Sequence, residues 1–186
     1  QIYHENKRGV NAGYAKFETF PVWNLPLKHP VNLAYEAATA DLNDANMIDP
    51  FHLEKYKTVA INYNRDIETF PILKNILKKV CQKDIYFSPT DMGVNMVGFC
   101  ITDNEVVEEA AKKEIIRRYY NEKINYKLGL CDEDTFKRIK LLMNELNIDE
   151  TYLDVIKPAL EKKKKENGLP VIAMKVNNKI ITGKQT

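Results

Sequence analysis

Four groups of residues have the types and spacing that chemistry needs. Asp91 is the one charge in the apolar run from Ile85 to Thr102. Burial would raise its pKa toward the range of a general acid or base, and it is the catalytic candidate. Its competing role is to cap the helix that Ser88-Pro89 opens. Asp41, Asp44 and Asp49 fall within nine residues alongside Asn43 and Asn46. Such oxygens suit a hard cation, which makes Asp41 and Asp49 the metal candidates, with Mg²⁺ the fitting ion; a solvated helix end with two caps uses the same letters. Asn62-Tyr63-Asn64-Arg65-Asp66 follows a strand-like run and precedes a helix-like one. Anionic ligands favour that position in open α/β sheets, and Arg65 can grip a phosphate or carboxylate with Asn64 beside it. The alternative is Arg65 paired with a neighbouring acid and Asp66 as an N-cap. Lys16, Lys28 and His29 surround Trp23 in a stretch dense in aromatics and prolines. Lys16 and Lys28 are candidate anion contacts there, unless the rings and prolines serve packing alone.

Two motifs fail on spacing. His4-Glu5 is half of a helical zinc-protease signature, but the second histidine belongs at position 8, which holds Arg8. No CxxC pair exists, so no zinc site is expected. Thr182-Gly183-Lys184 resembles the end of a phosphate-binding loop, yet Asn178 stands where its first glycine belongs and Gln185 where Ser or Thr belongs.

Composition sets the frame for these groups. The chain has 186 residues, 28 basic and 26 acidic side chains, and a formal net charge of +2. That balance carries no electrostatic footprint for nucleic acid or an anionic membrane. At 44% hydrophobic and 29% charged, the chain is too apolar for disorder. No uninterrupted apolar run is long enough to span a bilayer. Three widely spaced cysteines, Cys81, Cys100 and Cys131, suggest a reducing compartment, and the cytoplasm is the expected location. The chain starts at Gln1 in a helix-like run and ends in a polar tail, and it reads as a piece of a longer protein.

The elements that must position the candidates follow from periodicity and punctuation. Residues 1–13 read as the last turns of a helix stopped by Gly9, and Tyr14 to Pro30 as an extended, packed connector. Pro30 opens a helix with Val31, Ala34, Ala38 and Leu42 at helical spacing. Asp49-Pro50 starts another, through Tyr56. Thr58 to Tyr63 is the strand-like run, and after a turn at residues 64–66 a helix carries Ile67, Phe70, Leu73, Ile76, Leu77 and Val80. Thr102 to Glu105 has the pattern of a capping box for a helix reaching the Gly129 stop. That helix has two apolar stripes, one of Val106, Ala110, Tyr120, Ile124 and Leu128, the other of Ala111, Ile115 and Tyr119. Asp132 to Asp134 starts a helix with Phe136, Ile139, Met143 and Leu146 inward, and Asp149 starts a third that restarts at Pro158. Val171 to Val176 and Lys179 to Thr182 flank Asn177-Asn178 as a hairpin.

Long strings in the first hundred residues resemble a known family. They are residues 13–21, residues 29–42, Asp49-Pro50-Phe51-His52, residues 62–66 and residues 88–96. Together they resemble the middle section of a bacterial family known only as a domain of unknown function, number eighteen-forty-six. The resemblance implies a cytosolic protein of several domains, more than twice this length, with α/β parts on both sides. It implies no catalytic residues. Some relatives have been labelled ATP-dependent zinc proteases, a label that the spacing at His4 does not support.

The expected fold is α+β and predominantly helical: a mixed part over residues 1–101, a helical bundle over 102–168, and over 169–186 a β-hairpin that begins a further α/β unit. The first functional expectation is the central segment of a cytosolic enzyme-like protein that handles a phosphorylated or nucleotide ligand. Arg65 with Lys16 or Lys28 would hold the anion, Asp91 would manage a proton, and Asp41 or Asp49 would assist Mg²⁺. The alternative is a structural or oligomerisation module without catalysis. Its partners would be the rest of its own longer chain or a second copy.

Overall fold

The computed structural model of the chain describes residues 1–15 and 21–185. Lys16, the first anion candidate, therefore lies outside the described residues. The element order is helix α1 (Ile2–Lys7), α2 (Pro30–Ala38), strand β1 (Asn46–Ile48), α3 (Pro50–Tyr56), β2 (Ile61–Tyr63), α4 (Asn64–Cys81), α5 (Asn104–Lys127), α6 (Glu133–Glu145), α7 (Ile156–Lys165), and the strands β3 (Val171–Val176) and β4 (Lys179–Lys184). Short 3₁₀ turns sit at Ala40–Leu42, Pro89–Met92 and Val97–Cys100. The fold is α+β and predominantly helical, with two small antiparallel sheets, β1–β2 and β3–β4. Among the described residues, no helix is long and apolar enough to cross a membrane.

The start signals at Pro30, Asp49-Pro50 and Asp132 act as written, and the one at Thr102 is shifted by a residue. His29 caps α2 by accepting from the Val31 amide, Asp49 caps α3 by accepting from the His52 amide, and Pro30 and Pro50 take the first helical positions. Asp103, rather than Thr102, caps α5. Asp132 caps α6 through the Thr135 amide.

Two apolar cores result. In the larger, Leu33 and Ala37 of α2 meet Ile115, Ile116 and Tyr119 of α5 and Ile139, Leu142 and Met143 of α6. This core joins α2 to the bundle, so it crosses residue 101, where the sequence suggested a boundary. The smaller core gathers Phe70 and Leu77 of α4, Tyr86 and Met92, with Phe51 of α3 packed against it.

Four local expectations need correction. The run from Thr58 forms a strand only over Ile61–Tyr63, and its antiparallel partner is Asn46–Ile48, in the stretch read as a helix break. Three residues are too few for alternation to show. No turn separates β2 from α4, because Tyr63 caps the helix and Asn64 and Arg65 form its first turn. Residues 149–155 make turns, and the third helix begins only at Ile156. There Asp149 holds the Thr151 amide and hydroxyl. Finally, α2 stops at Ala38 and Leu42 falls in the following 3₁₀ turn; Leu33 and Ala37 are buried, and Ala34 packs on the same core while lining, with Val31 and Ala38, a groove against α5.

Candidate functional site

The polar candidates separate into three places. The densest is the seam where α3 meets the 3₁₀ turn Pro89–Met92. Asp49 is fully buried and accepts from the His52 amide at 3.1 Å, the Thr90 amide at 3.2 Å and the Thr90 hydroxyl at 2.6 Å. One turn along α3, the His52 Nδ1 lies 3.1 Å from Ser88 Oγ, and the Tyr56 hydroxyl donates to Asp91 Oδ2 at 3.1 Å. Burial and the hydrogen bond to Asp91 both push the Tyr56 hydroxyl above its ordinary pKa.

Asp91 closes a reciprocal capping box. Its carboxylate accepts from the Phe87 amide at 2.7 Å and the Ser88 amide at 3.1 Å, and its own amide donates to Ser88 Oγ at 3.2 Å. Ser88 is fully buried and His52 half-buried. Asp49 and Asp91 thus both bond to the 87–91 segment, through amides and hydroxyls.

Arg65 and Asn64 stand elsewhere. The Arg65 guanidinium donates to Asp44 Oδ2 at 2.8 Å; Asp44 is buried and Arg65 half out in solvent. Burial raises the Asp44 pKa against the pull of Arg65. Asn64 Oδ1 accepts from the Ala45 amide at 2.9 Å, and the Asn64 amide donates to the Ala45 carbonyl at 3.0 Å. Both side chains therefore pin the 43–45 loop to the start of α4. Lys28 reaches Glu145 of α6 at 3.1 Å, a third location, and Asp41 is exposed on the turn after α2. Among the described residues, no three His, Cys, Asp or Glu side chains come together as a metal-holding group.

The seam borders a recess that sequence reasoning missed. Phe51, Glu54 and Lys55 of α3, Lys74 of α4 and Phe87 line about 360 Å³. The Lys55 Nζ lies 4.2 Å from the centre of the Phe87 ring, and the Lys74 Nζ lies 5.3 Å from the same centre. The Asp91 carboxylate fixes the Phe87 amide, so the catalytic candidate positions the floor of this recess. The lysines are distant in sequence and sit in ordinary amphipathic helices, so no local signal marks them.

Apolar surface is also left uncovered among the described residues. The groove between α2 and α5 has a volume of about 470 Å³ and is lined by Val31, Ala34, Tyr35, Ala38, Val107 and Ala110, with Glu114 and Arg118 also on its wall. The hairpin is another such surface. Register pairs Met174 with Ile181 and places Ile172 and Val176 on the same face. These four are 61%, 49%, 46% and 49% exposed in the order Ile172, Met174, Val176, Ile181.

A family model described as "Domain of unknown function DUF1846, N-terminal" matches residues 1–147. A UPF0371 protein of Clostridium botulinum is 56% identical over 195 residues, and one of Fusobacterium nucleatum 55% over 199; each match takes in all of this chain and 39% of the relative. A UPF0371 protein of Streptococcus pneumoniae is 56% identical over 186 residues, covering all of this chain and 37% of its own length. The chain thus spans about two fifths of the length of the curated relatives it matches.

Proposed function

Because the chain belongs to the DUF1846 family, whose UPF0371 members are more than twice as long, we propose that it is a docking section of a longer protein, with surfaces shaped to receive the remaining parts of that polypeptide. The observation that carries this reading is the hairpin. A two-stranded sheet is marginal alone, and this one packs only one face, on α7, while Ile172, Met174, Val176 and Ile181 face outward and both edges are unpaired among the described residues. The α2–α5 groove is a second apolar seat, and the outward stripe of α5 leaves Val106, Ile124 and Leu128 more than half exposed. The occupant is the rest of the same polypeptide, since about 60% of the relative's length lies beyond the matched part. A cytoplasmic location is supported by thiols that stay unpaired at Cys81, Cys100 and Cys131.

Hydrogen exchange tests it. In the full-length protein the amides of residues 171–184 should exchange at least about tenfold more slowly than in the 186-residue chain alone. Equal exchange in the two would overturn the reading. A mass that doubles with concentration, with protection arising only in the doubled species, would assign the face to a second copy instead and overturn it equally.

A second reading, binding of a phosphorylated small molecule, is favoured by one observation: the lysine-lined recess beside Asp91. Arg65, Asn64 and Lys28 lend it no support, because each is engaged away from that recess.

A further inference from the structure

We propose that the recess between α3 and α4 is an anion site for the phosphate group of a small phosphate ester bearing hydroxyls, with Lys55 and Lys74 as its binding residues. The inference rests on the second reading above and is independent of the docking surfaces.

Charge placement is the first argument. Lys55 and Lys74 come from different helices, yet both ammonium groups sit against one ring, Phe87. Two like charges brought to one ring repel each other, and the aromatic face offsets only part of that. Lys74 has Asp84 at 3.6 Å, but Lys78 holds the same carboxylate at 3.1 Å, so one anion serves two cations. Among the described residues Lys55 has no carboxylate partner at ion-pair distance. An added anion between the two ammonium groups removes the repulsion, and lysine suits phosphate as a compact point charge.

Shape and chemistry narrow the ligand. A recess of about 360 Å³ admits a phosphate with a short body and lies at the small end of ordinary ligand pockets. Its floor is Phe51 and Phe87, and Phe51 is held by Phe70 at a ring separation of 4.9 Å. Glu54, also in the lining, forms no ion pair among the described residues and offers an acceptor to a hydroxyl. A bare anion gains nothing from Glu54, whereas a polyol phosphate can use both the lysines and Glu54. The floor is also fixed in place, since Asp91 holds the Phe87 amide and Tyr56 holds Asp91. Asp91 is therefore a positioning residue for this site.

The test titrates the full-length protein with inorganic phosphate and with glycerol 3-phosphate at constant ionic strength, following backbone chemical shifts of residues 51–56, 74 and 87. Saturable shifts are expected, with glycerol 3-phosphate binding several-fold more tightly than phosphate. K55Q/K74Q should weaken both ligands at least about tenfold, while K163Q/K164Q, which removes the same charge from an exposed face of α7, should leave both unchanged. Glu54→Ala, which leaves no side-chain acceptor, should erase the preference for glycerol 3-phosphate and keep phosphate binding. Unaltered melting curves for each variant establish that it folds. Saturable binding that survives K55Q/K74Q would overturn the assignment to this recess while leaving the second reading standing; a linear, unsaturable response in the unmodified protein would overturn both.

Discussion

The Asp49 carboxylate holds Thr90 twice, accepting from its amide at 3.2 Å and from its hydroxyl at 2.6 Å, across 41 residues of sequence. With the His52 amide as a third donor, this buried acid welds the start of α3 to the 88–91 turn and thereby fixes the spacing of Phe51, Lys55 and Phe87 around the recess.

Asp49→Ala should cost about 3 kcal/mol, the sum of a lost helix cap and buried donors left without an acceptor. Asp49→Asn should cost less, since its carbonyl oxygen still accepts. Chemical denaturation measures both. The competing role as a Mg²⁺ ligand makes a different forecast: Mg²⁺ would raise the melting temperature of the unmodified chain and not of Asp49→Asn.

Capping chemistry was legible in the sequence because it is local. Asp49, Asp132 and the Ser88/Asp91 pair each satisfy amides within three residues, and the letters alone state that. The strand partner of Ile61–Tyr63 was not legible, since pairing Asn46 with Tyr63 is a tertiary choice with three residues of pattern behind it. The α2 stripe shows the same limit in another form: periodicity found Val31, Ala34 and Ala38 together but could not say that the neighbouring face, with Leu33 and Ala37, would take the core. For the site, the sequence offered Arg65 an acidic partner without naming it, because Asp44 lies 21 residues away across the β1–β2 pair, and nothing local joins Lys55 to Lys74.

The larger core should answer strongly to truncation. Ile139 is fully buried among α2, α5 and α6 residues, whereas Leu141, two positions along the same helix, is 64% exposed. Ile139→Ala should destabilise by about 3–4 kcal/mol through lost transfer energy and the cavity left behind. Leu141→Ala should stay within about 0.5 kcal/mol. Equal losses in urea melts would mean that the helix is rotated from the orientation described.

Glu150 gives the bundle an acid-sensitive clasp. It accepts from Lys123 at 2.8 Å, from the buried Tyr119 hydroxyl at 2.6 Å and from Lys140 at 3.3 Å, and these bonds pull its pKa down to about 2. Lowered in the folded state, it contributes stability that is fully present above its ordinary value near 4.5 and is lost as pH falls toward about 2. Glu150→Gln should lower the unfolding free energy near neutral pH by on the order of 1 kcal/mol, after allowance for its partial exposure, and the difference from the unmodified chain should vanish on acidification through that window. A difference that stays constant with pH would show that the clasp works by packing and not by charge.

The Arg65–Asp44 pair should behave in the opposite sense. Burial raises the Asp44 pKa in the folded state while Arg65 opposes the rise, and among the described residues Asp44 Oδ1 has no hydrogen-bond partner. A raised carboxyl favours folding in its protonated form, so its contribution is complete below the ordinary value of 3.8 and is lost as pH climbs through the folded value. Arg65→Ala removes the compensating charge, pushes the Asp44 pKa further up and widens the range over which stability is lost. The variant should therefore lie close to the unmodified chain at about pH 4 and fall about 2 kcal/mol below it at about pH 7, a modest cost for a broken buried pair because the guanidinium is half in water. Adding Asp44→Asn to Arg65→Ala should flatten the pH dependence, since no buried charge then remains to be uncompensated. Thermal melts of the three proteins across that range measure it. If Arg65→Ala matched the unmodified chain at neutral pH, Arg65 would be free of a structural task and available to an anionic ligand, the role its place before α4 first suggested.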